Sequence, residues 1–196
     1  MVSSAAGNLE SRLFRRYWDD GLLDLFAGIG VAGIAAFWAL DLVALGAVAP
    51  AVLATFWVPV HRALVEPRIG HVEFSDGRTN RNVRLGVGSV LIGGAMLVGL
   101  IGLTLTARSQ SLSALSLIAP GLPAFLLALL AVFVGWGLGL PRFLVYAGVL
   151  CVGGIGVVLI DARPEIGMLA GACVMLLSGG WRIGRFLRLP VVEPPE

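Results

Sequence analysis

The sequence predicts an all-α protein, a polytopic bundle of about six transmembrane helices with both chain ends on the cytoplasmic side. Three observations predict it. First, of 196 residues 58% are hydrophobic and 13% charged, with a mean hydropathy of +0.93. A soluble domain carries about 25% charge because its surface must be solvated, so most of this chain has lipid as its solvent. Second, the apolar residues are gathered into long runs. A helix rising 1.5 Å per residue needs about 20 residues to cross a hydrocarbon core about 30 Å thick. Third, the arginines fall between the runs and collect in alternate loops.

The runs are 22–40, 42–60, 85–107, 119–140, 143–160 and 166–181, the last of them short. A tight turn at Asp41, with Gly46 soon after, joins the first two. "DARPE" joins the last two through the turn chemistry of Asp161 and Pro164. Pro50 lies inside the second run, where it should kink the helix. The Arg-rich start, the first run and "AVA" at 47–49 fit the pattern of a signal sequence, but Pro50 would follow the cut and the second run continues through it without a break. The first run therefore reads as an uncleaved signal anchor.

Arginine placement sets the orientation. Arg12, Arg15 and Arg16 precede the first run; Arg62, Arg68, Arg78, Arg81 and Arg84 occupy the second loop; Arg142 lies in the fourth loop; Arg182, Arg185 and Arg188 follow the last run. Six crossings put all of these on one side and leave Arg108 and Arg163 for the other. Under the positive-inside rule the first side is cytoplasmic. All 14 basic residues are arginine, which with the abundant Ala and Gly suggests a GC-rich prokaryotic coding sequence and hence a prokaryotic cytoplasmic membrane. Tyr17, Trp18, Trp57, Trp136 and Trp181 fall near the expected inner interface, where aromatic belts form.

The chain divides into an amphipathic segment 1–20, a bundle 21–181 containing a cytoplasmic loop 61–84, and a basic tail 182–196. In the first segment Leu9, Leu13 and Tyr17 recur at helical spacing apart from the arginines. In the tail Ile183, Phe186 and Leu187 lie opposite Arg182, Arg185 and Arg188, until Pro190 stops the helix. Both read as basic helices lying on an anionic leaflet. The terminal "VVEPPE" reads as disordered.

Asp19, Asp20 and Asp24, in "WDDGLLD", are the sharpest polar candidates. They form either a polar site at the inner mouth of the bundle or a salt-bridged helix start, where the helix dipole favours acids. No charged residue falls at the centre of any run, which argues against an ion-coupled transporter. In the loop, Pro67 is expected to end the helix. "RIGHVEF" alternates as a short strand would, and "SDGR" is a turn signal. Arg78, Arg81 and Arg84 then recur every third residue and, with Arg68, offer contacts to anionic lipid or to a protein partner. Gly135/Gly139 and Gly167/Gly171 form two GxxxG pairs, spacings that let helices approach closely in lipid. Cys151 and Cys173 lie in apolar runs and read as small buried thiols.

No catalytic, cofactor-binding or metal-ligating set can be assembled from these residues. HExxH is absent. "SDGRTNR" has Asn80 and Arg81 where CDP-alcohol phosphotransferases have Ala-Arg, and the later aspartates of a paired-metal site are missing. A net charge of +2, with basic residues at segment ends, does not suit nucleic acid. "YWDDGLLDLFAG" (17–28) and "PRIGHVEF" (67–74) resemble a group of uncharacterised prokaryotic multi-pass proteins, which carry a Tyr-Trp-Asp-Asp-Gly-Leu start and a Pro-Arg-Ile-Gly-Tyr-Val loop. His71 stands at an otherwise aromatic position. The resemblance implies an integral membrane protein and no particular activity. The expected function is an accessory or scaffold subunit working with a partner protein, ahead of a small transporter or channel, and well ahead of a lipid-modifying enzyme.

Overall fold

The computed structural model describes residues 20–69 and 118–188, and among these are helices joined by short turns and links, with no strand. The helices are α1 (Leu22–Ala39), α2 (Val43–Thr55), α3 (Trp57–Leu64), α4 (Glu66–Ile69), α5 (Leu122–Leu138), entered through a 3-10 turn at Ala119–Gly121, α6 (Arg142–Leu159) and α7 (Pro164–Phe186). Five segments are long and apolar enough to cross a membrane: α1, Val43–Leu64 (α2 with α3), Ala119–Leu138, α6 and α7. The expected run 85–107 lies outside the described residues.

Short connections set α1 antiparallel to the span Val43–Leu64, α5 to α6 and α6 to α7. Asp41 (φ 60) and Asp161 (φ 49) turn the chain in the left-handed region, which Asp tolerates better than most residues with a Cβ. Gly139 (φ 67) ends α5 the same way; its own amide and that of Leu140 both donate to the Gly135 carbonyl. Pro141 then leads directly into α6.

Three local expectations need correction. The span Val43–Leu64 is interrupted at Phe56, where no break was expected, while Pro50 lies inside α2. Pro59 accounts for this: it has no N–H to give the Thr55 carbonyl, and its ring crowds that carbonyl. The last run is not short. α7 spans 23 residues and continues through Arg182 and Arg185, so the expected basic surface helix is the end of the span itself. Pro67 does not end the helical path, because Glu66–Ile69 makes one more helical turn with Pro67 in its first turn, where a missing N–H costs nothing. Arg68 and Ile69 are therefore helical, and the strand expected from Arg68 onward otherwise falls outside the described residues.

α7 is the central helix, lying antiparallel along both α1 and α6; α5 packs on α6, and α2 folds back on α1. α5 presents Ala124, Ala128 and Ala131 to a core of Phe143, Tyr146, Ala147 and Leu150 from α6. Met168, Ala172 and Met175 from α7, with Val31, Ile34 and Ala35 from α1, complete it. Between helices in lipid apolar burial drives nothing, and close backbone approach with van der Waals contact would there hold such a bundle. The glycines show where that approach occurs. A Cβ on Gly153 would stand 2.9 Å from the Gly167 carbonyl oxygen, and one on Gly179 would stand 2.7 Å from the Leu25 nitrogen. Cys151 is half-buried and Cys173 exposed on the outside of α7, so Cys173 is not the buried thiol expected.

Because the helices alternate, polar residues collect at two ends. One end holds the start of α1, the end of α3, the start of α6 and the end of α7. The other holds Asp41, Asp161 and Arg163. The described chain leaves the bundle at the first end, after Ile69, and returns at the second, where Gly121 lies against Gly154 and Val158 near the end of α6.

Candidate functional site: a polar layer at the arginine-rich end

Three otherwise apolar helices bring polar residues to the first end: Asp24 of α1 with Asp20 just before the helix, Arg142 and Tyr146 of α6, and Ser178 and Arg182 of α7. The pairs on α6 and α7 are spaced i, i+4 and so lie on one helix face, which points inward.

The entry to α1 positions the acids. Asp20 accepts a hydrogen bond from the Leu22 amide on Oδ1 at 2.9 Å, closing an Asx-type turn that starts the helix. Gly21 follows with φ 85, a conformation that costs a residue with a Cβ energy. Its site also has no space: a Cβ would lie 2.5 Å from the Arg182 Cβ and 2.8 Å from the Gly179 carbonyl oxygen. α1 thus begins in direct backbone contact with α7. Asp24, one turn on, is wholly buried.

Two guanidinium groups meet Asp24 from different helices. Arg142 Nε donates to Asp24 Oδ1 at 2.9 Å, and the Arg142 side chain is only 10% exposed. Arg182 Nε stands 3.9 Å from Asp24 Oδ2 on a side chain 29% exposed, a looser contact that adds charge without a short bond. A buried charge is tolerated where opposite charge and hydrogen bonds offset its desolvation, and this carboxylate has both. One turn deeper, Tyr146 Oη donates to Ser178 Oγ at 2.8 Å, tying α6 to α7. His61 is also buried and lies beside the Trp57 ring, which meets Phe26 of α1 edge-on at 5.2 Å.

Of the acids singled out in the sequence, the structure brings Asp20 and Asp24 into the layer; Asp19 lies outside the described residues. Arg68 sits in α4 and donates to the Leu64 carbonyl at 3.0 Å. Arg78, Arg81 and Arg84 lie outside the described residues. Gly167 and Gly171 face α6, against Gly153 and Leu150 respectively, and Gly135 faces Phe143 and Leu140. Among the described residues Gly139 packs against nothing. Its Cβ position has no described atom within 4 Å, and it serves as the left-handed end of α5. Sequence reasoning missed Arg142, which it placed in a loop, and Arg182, which it placed on the lipid surface. It also missed His61, Tyr146 and Ser178. The signal that could have found these five was the repeated i, i+4 polar pair at the ends of apolar runs, Arg142/Tyr146 and Ser178/Arg182, together with a histidine, His61, one turn from Trp57.

Among the described residues there is no group of three or more His, Cys, Asp or Glu able to hold a metal. The chain matches no protein-family model, no curated protein and no solved structure. What the geometry supplies is a polar tie between α1, α6 and α7. Tyr146→Phe and Ser178→Ala are each expected to cost about 0.6–1 kcal/mol in detergent melting. The double variant should cost little more than either alone, because both remove one bond; additive losses would show that the hydroxyls do not depend on each other.

Proposed function

We propose that this chain is a non-enzymatic integral protein of a prokaryotic cytoplasmic membrane, an accessory or scaffold subunit whose activity is expressed through a partner protein. The observation that carries this reading is the internal pairing of the polar layer. Intramembrane charge usually marks a substrate or proton path, whereas here Asp24, Arg142 and Arg182 are directed at one another across three helices. The segments between the two ends are apolar. A transporter or channel is the second reading, supported by the same charges lying at the mouth of the bundle; a lipid-modifying enzyme is a distant third.

The proposed topology has six spans with both ends cytoplasmic. Its support is the arginine distribution, together with the chain's departure from the bundle at one end and return at the other, which suits one further crossing at 85–107. Reporter fusions after residues 75 and 190 are expected to report cytoplasm, and fusions after 111 and 163 the exterior. An exterior signal at 75 would overturn the orientation and the extra crossing together.

Purification from the native membrane in mild detergent, followed by reconstitution in liposomes, tests the functional reading. A second protein at fixed ratio, with no solute or ion flux from the isolated chain, is the expected result. A chain that purifies alone and gives flux abolished by Asp24→Asn would replace the scaffold reading by the transport reading.

A further inference from the structure

We propose that the last turn of α7 is a binding site for the headgroup of an anionic phospholipid, with Arg185 holding the phosphate above the Trp181 ring and Arg188 adding charge beside it. The proposal rests on the reading above that this end of the bundle meets the cytoplasmic leaflet.

α7 divides its arginines between two tasks. Arg182 turns inward to Asp24. Arg185 lies exposed on another face, its guanidinium carbon 5.0 Å from the centre of the Trp181 ring. Trp181 is itself 63% exposed, a large apolar surface turned away from the bundle. At 1.5 Å per residue Trp181 stands about 26 Å along α7 from Pro164 and Arg185 about 32 Å, against a hydrocarbon core of about 30 Å. The ring therefore falls at the hydrocarbon edge and the guanidinium among headgroups, the depths each side chain favours. A guanidinium also matches two phosphate oxygens with parallel donors.

Charge balance gives the ligand its sign. Among the described residues this end carries Arg62, Arg68, Arg142, Arg182, Arg185 and Arg188 against Asp20, Asp24 and Glu66. At the opposite end Arg163 is outnumbered by Asp41, Asp161 and Glu165. There Arg163 Nε lies 2.8 Å from Glu165 Oε1 and its Nη2 reaches the Ala39 carbonyl at 3.4 Å. Anionic lipid is thus favoured at one end and disfavoured at the other.

The test uses the full chain reconstituted in nanodiscs of equal parts phosphatidylglycerol and phosphatidylcholine, extracted into neutral detergent. Retained lipids are then counted by native mass spectrometry. Wild type is expected to keep phosphatidylglycerol in preference. Arg185→Gln should lower that preference about fivefold, the effect of one arginine near an anionic surface. Arg185→Gln with Arg188→Gln should remove it, Trp181→Leu should weaken it, and Arg163→Gln should leave it unchanged. Retention of both lipids in their mixing ratio by wild type, or an equal loss from Arg163→Gln and Arg185→Gln, would overturn the site. The fusion after residue 190 separates the two readings: an exterior signal with lipid preference intact removes only the orientation, and a cytoplasmic signal without preference removes only the site.

Discussion

Gly179→Ala and Gly180→Ala are expected to shift stability in opposite directions, although the two residues adjoin. Gly179 is buried against α1, where a Cβ would stand 2.7 Å from the Leu25 nitrogen and 3.1 Å from the Asp24 carbonyl carbon. These are backbone atoms of a packed helix and cannot rotate aside as a side-chain end could. Overpacking of this kind costs about 1–3 kcal/mol, and the upper part of that range is expected because relief requires α1 to move off α7. That movement would also loosen the Asp24 contacts. At Gly180 no described atom lies within 4 Å of the Cβ position. Alanine there removes a glycine from a helix interior and should gain up to about 1 kcal/mol. Thermal melting in one detergent checks the pair, and two equal melting temperatures would mean that α1 does not lie on α7 at this point.

Asp24→Ala is expected to be the most damaging single change in the described bundle. It leaves the Arg142 guanidinium, 10% exposed, without the carboxylate it donates to at 2.9 Å. Removing one partner of a buried pair costs about 3–5 kcal/mol, because the remaining charge stays desolvated. Arg182→Gln should cost less, since its contact is 3.9 Å long and its side chain 29% exposed. Arg163→Gln, at a side chain 66% exposed, should fall within about 0.5 kcal/mol of wild type. If Asp24→Ala and Arg163→Gln melt together, the layer contributes nothing to the bundle.

The described long helices were legible because an apolar run is a one-dimensional signal, and the ends of α1, α5 and α6 fall within three residues of the runs. Turn chemistry was legible at Asp41 and Asp161 for the same local reason. Local rules erred where two of them competed. Pro50 and Pro59 both lie in the second run and each withholds an N–H from the carbonyl four residues earlier, and only the structure shows that the helix is interrupted at Phe56, before the second of them. Gly135 and Gly139 match a packing motif and also a helix followed by its terminal glycine; the turn into Pro141 decided for the second. The end of α7 was misread because an arginine after an apolar run usually marks the water interface, whereas Arg182 has a carboxylate to turn toward. That carboxylate was beyond local reach: Asp24 and Arg142 are 118 residues apart, and no spacing rule connects them. The acids of the layer were visible as unusual residues at a span's start, but their partners required the antiparallel arrangement of α1, α6 and α7. Arg78, Arg81 and Arg84 lie outside the described residues, and their proposed role stays with the loop that carries them.

The charges at the arginine-rich end tie α1, α6 and α7 together. A double-mutant cycle on Asp24→Asn and Arg142→Gln, read as unfolding free energies in a single detergent, tests this tie most directly. Contact between the two side chains predicts that the double variant loses less than the two single losses combined, with a coupling of at least about 1 kcal/mol. Strict additivity would contradict the account, because Asp24 and Arg142 would then act independently and the layer would not be a tie between helices.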